Sequence, residues 1–131
     1  MTSEGRRAAA LVELVLAREE LEAAGLLLAH DKARIALTRA YVAVFHAQRA
    51  RLYAEGLEPR SHSGVTHLFN LHLVKGGAYP PEVSRLAARL QKYREEADYA
   101  RAFIVDAPGA QQELDEATAL VDRVGAELAD G

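Results

Sequence analysis

Residues 36–50 read Ala-Leu-Thr-Arg-Ala-Tyr-Val-Ala-Val-Phe-His-Ala-Gln-Arg-Ala, and this stretch decides the fold. Up to Ala47 only Thr38, Arg39 and His46 interrupt the apolar run, and no Gly or Pro breaks it. Its Ala, Leu and Arg content favours helix. A helix that is apolar nearly all round must be covered on several sides. The stretch therefore predicts a central helix with the other helices packed around it. Arg39 and His46 are seven positions apart, about two turns, so they project from nearly one face. Ile35, Val42, Arg49 and Tyr53 share that face. A polar stripe on the most buried helix is the first sign of a site.

Working outward, the central helix spans about residues 32–55. Asp31 is placed to cap its start and Gly56 to end it. Before it, residues 4–29 predict a first helix. Leu11, Leu14, Val15, Leu21, Gly25 and Leu28 recur at three- and four-residue steps as a buried stripe. Glu13, Glu19, Glu20 and Glu22 fall mostly on the opposite side, and Gly25 suggests a close helix contact. The short connection makes these two helices antiparallel neighbours. After the central helix, Ser61 or Ser63 caps a short third helix reaching about residue 74. Residues 75–81, Lys-Gly-Gly-Ala-Tyr-Pro-Pro, are the strongest breaker in the chain. A fourth helix covers about 81–105, with Val83, Leu86, Leu90, Tyr93, Ala97, Ala100 and Ile104 as a seam that fits a neighbouring helix or a second copy. A fifth covers about 110–128, with Leu114, Ala117, Leu120, Val121, Val124 and Leu128 inward and an acidic outer face. No strand-like alternation appears. The class is all-α: an up-and-down helical bundle of four long helices plus one short helix, one domain over residues 1–131 with its core at about 8–125.

The bulk properties set limits. A chain of 131 residues suits one domain with a real core. It has no cysteine, which excludes disulfides, thiol chemistry and thiolate zinc sites. Its start is not a signal peptide and no run spans a membrane, so a cytoplasmic protein is expected. The net charge of -3 argues against bulk nucleic-acid binding by overall field. The charge is uneven: residues 31–60 carry six basic and three acidic side chains, residues 111–131 one basic and six acidic.

The sharpest chemical stretch is Tyr93-Arg94-Glu95-Glu96-Ala97-Asp98-Tyr99. On a helix Arg94, Asp98 and Arg101 project from one face. That face reads either as solvated, with an Arg94–Asp98 pair contributing about 0.2–0.5 kcal/mol, or as an arginine that grips a phosphate, oriented by Asp98 with the Tyr99 hydroxyl nearby. His62, His67 and His72 are five apart, about 140° round a helix, and make no metal face, so no metal and no cofactor is expected. His46 reads as a core histidine bonded to a neighbouring helix or as part of the polar stripe; His62 as a helix-start contact or a ligand contact. No nucleophile elbow, P-loop or dinucleotide fingerprint is present, and no DNA-binding motif. Phe45→Ala is expected to cost about 3–5 kcal/mol by leaving a cavity beside the central helix.

Four motifs in order, residues 39–47, residues 61–65 (Ser-His-Ser-Gly-Val), Phe69 with Lys75-Gly76, and Arg94 with Asp98-Tyr99, together resemble the HEPN domain, the higher eukaryotes and prokaryotes nucleotide-binding family. The resemblance covers about residues 8–125. It implies a helical bundle, a homodimer, a minimal nucleotidyltransferase partner in a toxin–antitoxin pair, and a nucleotide or RNA ligand. Active members are metal-independent ribonucleases whose motif is an arginine, four to six residues, then a histidine. Arg94 matches that arginine. Tyr99 stands where the histidine is expected, and no histidine follows Arg94. A phenol with a pKa near 10 is a poor acid or base for a ribose 2′-hydroxyl near pH 7. The resemblance therefore implies a component that binds nucleotide or RNA and its partner with weak catalysis or none. Arg94 and Tyr99 are the candidate catalytic residues, and Arg39, His46, His62, Asp98 and Arg101 the candidate binding residues. The alternatives are an active ribonuclease toxin using Arg94 with His46 or Tyr99, and a ligand-free dimeric scaffold.

Overall fold

The computed structural model describes residues 2–97 and 105–130. Among these, α1 (Ser3–Ala29), α2 (Ala33–Ala54), α3 (His62–Phe69), α4 (Pro81–Ala97) and α5 (Ala107–Asp130) form an all-α bundle with no strand. The centre is α2, which packs against α1, α3, α4 and α5. Its Ala40, Ala43, Ala47 and Ala50 are wholly buried. Alanine is the best helix former and its methyl lets neighbouring backbones come close, which is why this helix tolerates cover on so many sides.

The ends of the elements follow local chemistry. Thr2 caps α1 by accepting from the Gly5 amide at 2.9 Å, and Ser61, rather than Ser63, caps α3 by accepting from the Gly64 amide at 2.9 Å. Gly56 ends α2 with φ +86°: its N–H donates to the Tyr53 carbonyl and the Leu57 N–H to the Leu52 carbonyl, both at 2.9 Å. Asp31 does not cap α2. It takes φ +60°, a left-handed turn that Asp tolerates, and Lys32 occupies the cap position. Asp106 accepts from the Gly109 amide at 2.7 Å, so α5 starts at Ala107, earlier than its spacing suggested.

α3 runs into one π-helical turn, Asn70–Val74, where the Lys75 N–H donates to the Asn70 carbonyl at 2.9 Å. This turn brings Leu73 into the core. Tyr79, inside the breaker segment, is 2% exposed and meets Phe69 edge-on. On α4, Leu86 and Leu90 are buried and Val83, Ala87 and Tyr93 pack against the same core. This part of the seam faces the chain's own interior. Ala100 and Ile104 lie outside the described residues.

α1 departs from the expected stripe. Leu11 and Val15 are exposed, whereas Glu13 is buried. The reason lies on α2, where His46 and Arg49 face this position and give a buried carboxylate its partners. Gly25 makes no close helix contact, since a Cβ there would meet nothing within 4 Å. Phe45 is half-buried, while Phe69 is wholly buried. The full-cavity cost expected of Phe45 therefore belongs to Phe69.

Candidate functional site

The stripe of Arg39, His46 and Arg49 on α2 faces α1. Arg39 pairs with Glu20 at 3.1 Å. His46 Nδ1 lies 2.6 Å from Glu13 Oε2, and Arg49 Nη1 lies 3.3 Å from Glu13 Oε1. Arg49 also stands over the rings of Phe45 and Tyr53, at 6.0 and 5.0 Å from their centroids. Its Nε is buried without a hydrogen bond, and the two ring faces supply the attraction in place of an acceptor. The stripe is thus closed by carboxylates and rings of the same chain.

A second polar group occupies the adjoining face of α2, formed by Tyr41, Val44, Phe45 and Gln48 at three- and four-residue steps. His62, the first residue of α3, lies with its Nδ1 3.0 Å from the Tyr41 hydroxyl. The His62 ring stacks on Phe45 at 4.1 Å between centroids. Arg94, from α4, sits over the other partner, its Cζ 5.2 Å from the Tyr41 ring centroid. No carboxylate among the described residues pairs with Arg94. Burial lowers the His62 pKa below its ordinary value, and the positive charges of Arg94, His46 and Arg49 push it the same way. The imidazole is therefore neutral at pH 7, and the tautomer protonated at Nε2 accepts from the Tyr41 hydroxyl. Burial raises the Tyr41 pKa, so its phenol keeps its proton.

Tyr41, Phe45 and His62 border a cavity of about 80 Å³ between α2, α3 and α4, lined also by Gln48, Asn70 and Gln91, while Arg94 stands outside its lining. A wider cleft of about 300 Å³ adjoins it and shares His62, Thr66 and Gln91. A larger cavity of about 430 Å³ lies at the other end of the bundle, between Arg6, Arg7 and Arg51. There, Arg51 is engaged by Glu55 and Glu127, and Arg7 donates to the Leu128 carbonyl at 2.9 Å. Two of its three arginines are thus engaged by the fold.

The structure thus unites Arg94 and His62, which the sequence left in separate motifs. It places Arg39 and His46 on a different face, against α1. Asp98, Tyr99 and Arg101 lie outside the described residues. Tyr41 and Gln48 were missed; the available signal was a glutamine on the most buried helix, two positions after His46 and so off the face of the polar stripe.

The class of protein is an all-α bundle in which α2 supplies the aromatic wall, α3 the imidazole and α4 the cation of one cleft. The chain belongs to the HEPN domain family, which matches residues 14–127. It is 35% identical over 118 residues to a Methanocaldococcus jannaschii protein named "Putative toxin", covering 88% of this chain and 84% of that relative. It is 47% identical over 62 residues to a UPF0332 protein of Pyrococcus horikoshii, covering 47% of this chain and 44% of the relative. A UPF0332 protein of Thermotoga maritima is 39% identical over 83 residues, 63% of each chain. In the last two, the matched segment spans less than two thirds of the relative's length.

Proposed function

We propose that this HEPN protein is the toxin-like member of a two-protein module. It binds a nucleotide or RNA in the cleft between α2, α3 and α4, assembles as a homodimer, and is held by a nucleotidyltransferase partner. The observation that carries the reading is Arg94 laid over Tyr41 beside His62, with no described carboxylate closing it. A guanidinium in that state meets a phosphate with two parallel N–H donors. Family membership and the toxin-named relative support the toxin-like part. The test is equilibrium binding of nucleoside 5′-monophosphates and a short RNA to the wild type and to Arg94→Ala. Loss of affinity in the variant is the expected result; equal affinity would sink the Arg94 role.

A second reading, an active metal-independent ribonuclease, is favoured by one observation. A neutral imidazole lies within the field of Arg94, and in this reading His62, in place of His46, takes the proton. RNA cleavage in EDTA that disappears in both Arg94→Ala and His62→Ala would establish it. No cleavage by the wild type would leave the binding function alone.

A further inference from the structure

We propose that the cavity between Tyr41, Gln48 and Asn70 is a nucleobase subsite, which takes the hydrogen-bonding edge of an uncharged heterocycle whose phosphate lies at Arg94. The proposal rests on the nucleotide or RNA reading and names the part of the ligand that reading leaves open.

Gln48 is the leading observation. It is 3% exposed, and its amide makes no hydrogen bond to any described residue while its amide atoms keep a little accessible surface. An amide carries two donors and an acceptor, and these are answered by whatever fills the space they reach. What Gln48 faces is the cavity. Asn70 adds a second amide. The π-helical turn begins at this residue, and its Oδ1 accepts from the Ser84 hydroxyl at 2.6 Å, which assigns the NH₂ side as the free donor. The cavity wall therefore offers a donor–acceptor amide beside a donor amide. Glutamine and asparagine amides read base edges in this bidentate way.

Size and charge agree with that occupant. A water needs about 10–15 Å³ of such space, and a cavity of about 150 Å³ holds a whole benzene ring. At about 80 Å³, this cavity takes the edge of a ring and leaves the rest in the wider cleft, beside the exposed His62. The ionisable residues on the inner wall are Tyr41 and His62, both neutral at pH 7, so an uncharged edge is preferred there. The positive charge stands outside it, at Arg94. The ligand's charge and its base are thus separated as they are in a nucleotide.

The experiment is a nuclear magnetic resonance titration of the full chain, labelled with ¹⁵N, using adenosine, uridine, their 5′-monophosphates and ribose 5-phosphate. Both nucleosides, which lack phosphate, are expected to move the side-chain amide signals of Gln48 and Asn70. Gln48→Leu is expected to weaken the monophosphates about tenfold and to leave ribose 5-phosphate unchanged. Arg94→Ala is expected to do the reverse, weakening ribose 5-phosphate while nucleosides still move Gln48. If no nucleoside or nucleotide moves the Gln48 signals of the wild type, the subsite is overturned, whether or not the variant folds. Ribose 5-phosphate binding as tightly as the monophosphates would overturn it too. Nucleoside shifts at Gln48 together with an Arg94→Ala protein that binds phosphate normally would keep the subsite and remove the phosphate role of Arg94.

Discussion

Two faces of α2 carry polar side chains, and they differ in what answers them. Toward α1, Arg39, His46 and Arg49 meet Glu20 and Glu13. Toward α3 and α4, Tyr41 and His62 bond to each other, while Gln48 and Arg94 meet no polar or acidic partner among the described residues. The first face is a closed electrostatic unit that holds helices together. The second carries donors and a positive charge that no described residue answers. A polar residue on a buried helix is therefore not by itself the mark of a site; the mark is polarity that the fold leaves unanswered.

The largest effect is expected in the core, which sets the scale for both faces. Phe69→Ala should cost about 3–5 kcal/mol, read as a lowered denaturation midpoint with unchanged slope. The α1 face should come next. Glu13→Ala leaves His46 and Arg49 beside each other with no carboxylate, and should destabilise by about 3 kcal/mol while nucleotide affinity of the folded protein stays the same. A loss of affinity in a folded Glu13→Ala protein would merge the two faces into one site. Arg94→Ala is the mirror case. Its side chain is exposed, so stability should move by no more than about 0.5 kcal/mol, while phosphate-ligand affinity should fall about tenfold or more.

Smaller effects sharpen the contrast. Arg39→Ala removes one partly exposed ion pair and should cost about 1 kcal/mol or less, with binding unaltered. The pH dependence comes from His62. Its folded pKa is lowered by burial and by Arg94, so the unfolded chain takes up the proton first as pH falls. Stability tied to this group is complete above the ordinary histidine value of about 6.5 and is lost as pH drops below it toward the folded value. His62→Gln should flatten that slope in pH-dependent melts. An unchanged slope in the variant would mean that the pH dependence belongs to another group.

Much of the fold was legible in the chain. A run of alanines and β-branched or aromatic residues without a breaker demands a covered helix, and α2 is that helix. Gly56, Ser61 and Pro81 mark element boundaries because each removes or answers a backbone group at a helix end. Tyr79 was not legible, because a breaker segment says where a helix stops and nothing about whether the loop's aromatic folds back under Phe69. Nor was the inward turn of Glu13, since spacing on α1 favours a leucine stripe until the charges on α2 are known.

Of the site, the residue types, their order and their family were readable in the chain. Helical periodicity states which side chains share a face, and that put Arg39 with His46 and left Tyr41 and Gln48 on the adjoining one. It does not state which neighbour covers each face. Only the tertiary structure decided that α1 brings carboxylates to the first and that α3 and α4 bring His62 and Arg94 to the second. The carboxylate partner of His46 lies 33 positions away, and the imidazole beside Tyr41 lies 21 away. At those separations the pairing is set by the packing of whole helices, which no local spacing encodes.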